Sequence, residues 1–309
     1  MDLHALPPAL RTRPSCGLNE RYLYDSPSAA LKLFERETVL VKSINPVNQP
    51  QDRLYLLYHE LRPSRSDYSY IVETAAFERH VDLFVELRKR AGRGLLPEVT
   101  FDDGHISNFE FALPILQSRA IKAWFFITVG WTGQRPGYMD WQQLHALHEA
   151  GHQIGAHGWT HTLLTHCNPA ELQKELVDAR LMLEDKLGTS ITAMSLPGGR
   201  ANQSVLDACR EAGYTQVFTS IPKVEPQPAG PTIGRLNIRG DMTLEWLEKL
   251  FQPDSGVLSS LQRQHQIKAT AKTLLGDRLY EKLWAVLNRQ EPETEAGEAT
   301  AREDSAHHQ

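Results

Sequence analysis

Cysteine is scarce in this chain. Its 309 residues hold three, Cys16, Cys167 and Cys209, an odd number with no CxxC pair. That argues against a disulfide framework and points to a reducing compartment. Long apolar runs are also missing. No stretch of about 18 apolar residues occurs, so no transmembrane helix is expected. Residues 1–25 carry Arg11, Arg13, Glu20 and Arg21 without an apolar run of even about seven, so no secretory signal peptide is read there. Excess charge of one sign is absent as well. A net charge of −5 gives no reason to expect nucleic acid or an acidic membrane as the main partner.

What is present is the composition of a globular domain, 41% hydrophobic and 23% charged, in a chain long enough to bury a substantial core. Residues 1–52 are rich in Pro, Arg and Ser and read as an N-terminal extension, with one helix-like stretch around Ser28–Arg36. Residues 53–252 read as the core domain. A helical segment follows at 253–288, then an acidic tail at 289–309 expected to be disordered. Within the core, strand-like runs fall at Leu54–Tyr58, Glu98–Phe101, Ala123–Val129, Gln153–Ala156, Ile191–Leu196, Gln216–Thr219 and Thr232–Leu236. Helical patterns lie between them with capped ends. Asp140 and Gln143 open one that Gly151 closes. Asn168, Pro169 and Glu171 open another that Gly188 ends, and Asn202 and Gly213 bracket a third. Alternating strands and helices predict a parallel α/β sheet, either a barrel or a doubly wound layer. In both, chemistry belongs at the C-terminal strand ends.

Three motifs stand at such ends. Val99–Phe101 runs into Asp102, Asp103, Gly104 and His105. Adjacent carboxylates repel unless a cation compensates. Side chains alternate along a strand, so these two make a poor glycosidase pair and suit separate tasks, one on a metal and one beside it. The plainer reading is an Asp-Gly turn. The second motif, His157-Gly158-Trp159-Thr160-His161, sets two imidazoles four apart, able to share a metal. Its plainer reading is a His-rich surface segment, with His145, His148, His152 and His166 nearby. The third, Ser195-Leu196-Pro197-Gly198-Gly199-Arg200, lets backbone approach a ligand and can present N–H groups to an oxyanion. Alone it reads as a tight turn.

Taken in order, these motifs resemble the polysaccharide deacetylase (NodB-homology) family, carbohydrate esterase family 4, and overall its exopolysaccharide-locus members. Thr100-Phe101-Asp102-Asp103-Gly104 matches the first family motif. The His157 to His161 segment is similar to the second, with Gly158 at a Ser/Thr position. Leu196-Pro197-Gly198-Gly199 resembles part of the third. The likeness spans roughly residues 54–240. It implies a distorted (β/α) barrel of about seven parallel strands. It also implies a divalent cation, usually Zn2+, held by Asp103, His157 and His161, with Asp102 as general base. Gly198, Trp159 and Arg200 would serve the oxyanion and substrate. The expected function is hydrolysis of N-acetyl groups on amino sugars of a polysaccharide or its precursor, inside the cytoplasm, with membrane association through a biosynthetic complex. An O-acetyl esterase and a silent carbohydrate-binding member are the alternatives.

Two departures stand out. The family's third motif begins with an Arg that steadies the base, and Ser195 occupies that position here. Arg200, Arg235 or Arg239 would have to substitute. The late His that serves as general acid is also missing, since residues 235–241 contain none. The acid is therefore unassigned, with His105 a candidate and a surface role its plainer reading. Trp131, Tyr138 and Trp159 could form a sugar platform, though for each of them ordinary packing is the simpler expectation.

Overall fold

Runs such as Arg53–Tyr58 and Ala123–Ile127 are apolar on both faces, the pattern of parallel strands covered by helices. In the computed structural model, which describes residues 51–90, 94–252 and 254–275, they form a nine-stranded sheet. The strands that matter are β1 (Arg53–Tyr58), β4 (Leu96–Phe101), β5 (Ala123–Ile127), β6 (Gln153–Ala156), β7 (Ala193–Ser195), β8 (Gln216–Phe218), β9 (Val224–Glu225), β10 (Thr232–Ile233) and β11 (Arg235–Asn237). Their order is β10-β8-β7-β6-β5-β4-β1-β11, parallel throughout, with β9 antiparallel on β1. A separate pair, β2 (Glu60–Arg62) and β3 (Ile71–Glu73), lies beyond β1.

The sheet is nearly closed, and one segment brings its two edges together. The expected strand Thr232–Leu236 is divided at Gly234. Ile233 pairs with Phe218 at one edge, and Arg235 pairs with Tyr55 at the other. Gly234 is needed for this crossing. A Cβ there would collide with the Ile221 carbonyl and approach Lys223 Cβ to 2.6 Å. Its N–H donates to the buried Glu225 carboxylate at 2.7 Å.

Helices cover the outside. They are α1 (Thr74–Lys89), α2 (Leu113–Ser118), α3 (Trp141–Glu149), α4 (Pro169–Leu172), α5 (Ala179–Leu187), α6 (Gln203–Glu211), α7 (Leu244–Leu250) and α8 (Val257–Leu275). The cap signals appear as read. Asp140 and Asn168 each form a reciprocal capping box, Asn202 accepts from the Val205 N–H, and Gly188 ends α5 in a left-handed turn. A π-helical turn, Gln173–Asp178, interrupts the predicted helix between α4 and α5. The helix-like stretch at Ser28–Arg36 and the acidic tail lie outside the described residues.

Alternation separates two interiors. Leu54, Leu56 and Tyr58 pack outward with Phe77, Val81 and Phe84 of α1. Tyr55, Phe126, Ala193, Phe218 and Ile233 pack inside the barrel. Thr100, Asp102 and Ser195 are buried with them, and Arg235 is fully buried.

Candidate metal centre

The site is built at the C-terminal ends of β4, β6 and β7. Asp102 still belongs to the strand ladder, its N–H donating to the Tyr58 carbonyl at 3.0 Å. Asp103 then turns into the left-handed region at φ 74°. That turn breaks the alternation which would have sent neighbouring carboxylates to opposite faces. Both therefore reach His157. Asp103 Oδ1 lies 3.3 Å from His157 Nε2, and Asp102 Oδ2 lies 3.8 Å from it. His161, also at positive φ (64°), brings its Nε2 to 3.3 Å from the same Asp103 oxygen. The three donor atoms lie within 4.8 Å of one another.

This trio fits a divalent cation on its own geometry. Asp103 Oδ1 is buried yet accepts no hydrogen bond, although two imidazoles stand beside it. The groups converge on a shared point rather than on each other. The Nδ1–H of His157 donates to the Ser195 carbonyl at 2.8 Å, which leaves Nε2 with a free lone pair for a cation. One carboxylate and two imidazoles are also a donor set that suits catalytic zinc and leaves a coordination position open.

Asp102 sits beside the trio in an arginine clamp. Arg235 Nη1 donates to Oδ1 at 2.7 Å and Nη2 to Oδ2 at 2.8 Å, while Ser195 Oγ donates to Oδ2 at 2.9 Å. The same guanidinium donates to the Thr219 carbonyl and the Ser195 hydroxyl, and it lies over the rings of Phe126 and Phe218. Of the three candidate arginines, Arg235 is the one that holds Asp102. Arg239 pairs with Asp241 at the surface, and Arg200 follows the Pro197–Gly199 turn. Burial alone would raise the Asp102 carboxyl, but the Arg235 charge and then His157 bring it below the usual carboxylate range. Asp103, also pushed up by burial, is held well below that range by His157 and His161. Burial lowers His157, and the charges of Asp102 and Asp103 reverse this to leave it raised.

Two further residues were not found from sequence. His59 directly follows β1 at a strand end, so the strand-end rule could have flagged it. Its Nδ1 is buried without a hydrogen-bond partner, and its ring meets Tyr70. Burial pushes its pKa down, opposed by the charges of Asp103 and Asp102. Glu175, in the π-helical turn, has no sequence signal. Its buried carboxylate accepts from the Trp159 N–H at 2.7 Å, the Thr160 N–H at 3.0 Å and the Thr160 hydroxyl at 2.6 Å. It thereby holds the segment between the two imidazoles. Gly158 fits this arrangement, because a Cβ at its φ of +79° would stand 2.7 Å from Glu175 Oε2.

The other predicted positions are distributed as follows. Trp159 packs on the core with Lys174 over its ring, and Trp131 rather than Trp159 meets the His161 ring, tilted, at 5.2 Å between centroids. Gly198 lies in the turn after β7, against Leu163. His105 bonds Ser107 Oγ at 2.8 Å through Nδ1, with Glu60 at 3.9 Å from Nε2.

Residues 97–217 match the family model described as polysaccharide deacetylase. A chitin deacetylase of Pestalotiopsis sp is 30% identical over 138 residues, 44% of this chain and 45% of that protein. A peptidoglycan-N-acetylglucosamine deacetylase of Bacillus cereus is 29% identical over 123 residues, 40% of this chain and 55% of that protein. This chain thus spans about half the length of these curated relatives. In structure, the Streptococcus pyogenes deacetylase PplD, solved in complex with acetate, superposes with a TM-score of 0.59 at 21% identity, covering 66% of this chain and 100% of that one. IcaB from Ammonifex degensii superposes with a TM-score of 0.55 at 22% identity, covering 69% and 98%. At these identities the superpositions speak for the fold.

Proposed function

We propose, on the premise that residues 97–217 belong to the polysaccharide deacetylase family, that this chain is a metal-dependent hydrolase removing N-acetyl groups from amino sugars of a polysaccharide or its precursor. The observation that carries the reading is the convergence of Asp103, His157 and His161 beside a clamped second carboxylate. These three residues would hold the cation, with zinc the best match to the donor set. A bound divalent cation would supply Lewis acidity toward the acetyl carbonyl and its attacking water.

The chain's own residues account for the proton traffic. A carboxylate has about four acceptor positions. Asp102 uses three of them, two on Arg235 and one on Ser195. Oδ2 accepts from both Ser195 and Arg235 Nη2, so the position left over is on Oδ1, and that is the one to take the proton of the attacking water. Arg235 keeps Asp102 ionised and fixes its plane. As the carbon–nitrogen bond breaks, the amine nitrogen must gain a proton, because an amide anion is a very poor leaving group. We assign its delivery to His59, which directly follows β1, the strand paired with β4, and whose Nδ1 has no hydrogen-bond partner; burial lowers its pKa, so the ring must first take up a proton, such as the one released by the attacking water. His105 is committed to Ser107 and faces Glu60. With an imidazole available, cleavage of an amide rather than only an ester becomes feasible, although residues 235–241 contain no His.

The test begins with metal content of purified wild-type protein beside His157→Ala. Near-stoichiometric zinc or another divalent ion is expected, lost in the variant. Acetate release from N-acetylated glucosamine oligomers is expected to fall by about 10²–10⁴ in Asp102→Asn with metal retained. Full metal in His157→Ala, no metal in wild type even after loading, or undiminished turnover in Asp102→Asn would each sink the reading. Release from O-acetylated sugars alone would move it to an esterase.

A further inference from the structure

We propose that Arg135 is an anion-recognition residue, and that the substrate of this site carries a carboxylate or phosphate about one sugar unit from the acetyl group. This deepens the deacetylase reading and rests on it.

The rim above the metal centre is aromatic. Trp131 packs against His161 in a tilted arrangement with ring centroids 5.2 Å apart, and Tyr138 packs, also tilted, against Trp131 at 4.7 Å. Such rings would ordinarily offer their faces to a sugar. Here the faces carry a guanidinium. Arg135 Cζ lies 4.5 Å from the Trp131 centroid and 5.0 Å from that of Tyr138. Cation–π contact holds a guanidinium without consuming its N–H donors. Among the described residues no carboxylate meets those donors. Asp140, the acid close by in sequence, is engaged in capping, its Oδ1 accepting from the Gln143 N–H at 2.8 Å. Glu60 accepts from Arg62 at 2.5 Å through Oε1 and stands 3.9 Å from His105 Nε2 through Oε2.

Arg135 is therefore a half-buried cation, pre-oriented by two rings and left without an acidic partner, one ring away from a ligand imidazole. Such a fork matches a planar carboxylate or a phosphate in bidentate geometry, with little rotamer entropy left to lose on binding. A neutral acetylated glycan would leave those donors to water. The shared chemistry is an oxyanion. It can come from an acidic substituent on the glycan or from a phosphate at its reducing end.

The experiment measures binding rather than turnover, so it stands apart from the chemistry. Metal-loaded wild type and Arg135→Gln are titrated by calorimetry with methyl N-acetylglucosaminide, N-acetylmuramic acid and N-acetylglucosamine 1-phosphate. Wild type should bind at least one of the two anionic ligands about tenfold or more tighter than the neutral glycoside. That preference should shrink with added salt and vanish in Arg135→Gln. Which anionic ligand gains identifies the source of the oxyanion. Equal affinity for all three ligands, no binding by any, or a preference that survives in Arg135→Gln overturns the proposal. An intact preference without acetate release from any acetylated sugar would instead count against the deacetylase reading alone.

Discussion

Asp102 and Arg235 form a fully buried pair in which each charge is the other's main compensation. Removing one partner of such a pair leaves an uncompensated charge and costs about 3–5 kcal/mol. For Arg235→Gln the consequence extends to catalysis. Burial alone raises the Asp102 carboxyl, and Arg235 is the leading influence that lowers it. Without the guanidinium the carboxyl titrates at higher pH. On the proposed role of Asp102 as base, it must be ionised to act, so the acid limb of the pH–rate profile should move upward, with loss greatest at low pH. A profile that merely scales down at every pH would show that Arg235 does not set the state of Asp102. The resemblance left this residue as one of three arginines. The choice needed the tertiary structure, because Arg235 and Asp102 are 133 positions apart and meet only across the barrel interior.

At the scale of elements, segment 157–161, which carries two of the proposed metal ligands, is held from a different helix. Glu175 ties the Trp159 and Thr160 amides and the Thr160 hydroxyl. Glu175→Ala would leave the Trp159 and Thr160 N–H donors without their acceptor, and a buried unsatisfied donor costs about 1–3 kcal/mol. The expected result is weaker metal affinity, by roughly tenfold or more, measured by competition with a chelating dye. Unchanged metal affinity with only a lower melting temperature would reduce Glu175 to a structural role. Gly158→Ala should act in the same direction, since its Cβ would both strain a φ of +79° and crowd Glu175 Oε2 at 2.7 Å. The sequence shows Gly158 as a departure from the family's Ser/Thr. It does not show why, because the carboxylate that fills the space is carried by a π-helical turn with no local signature.

For the whole molecule, acid stability turns on imidazoles buried away from the site. His80 bonds Tyr58 Oη at 3.2 Å and His152 accepts from the Ala123 N–H at 3.1 Å. Burial, then Arg79 for the first and Lys122 for the second, lowers each pKa from 6.5 to about 4. A folded pKa below the unfolded value means that the unfolded chain binds more protons between those limits. Stability is then full above about pH 6.5 and falls as pH drops toward 4. Urea unfolding followed from pH 7 to pH 4.5 should show this loss beginning near pH 6, ahead of carboxylate titration. In His80→Gln part of the slope should disappear. A flat profile down to pH 5 would contradict the buried, neutral assignment. Among the described residues no helix is long and apolar enough to cross a membrane.

Much was determined by the sequence alone. The alternating α/β pattern, the three helix caps and the strand-end position of Asp102, Asp103, His157 and His161 are local properties, dictated by side-chain periodicity and backbone preference within a few residues. The choice of a nearly closed barrel over an open sheet was not local. It depended on Gly234 dividing one short segment between two edges of the sheet. The partners of the site were not local either. Arg235 and Glu175 meet the site because the barrel brings distant segments together there, and no periodicity reports which distant charges will be desolvated side by side.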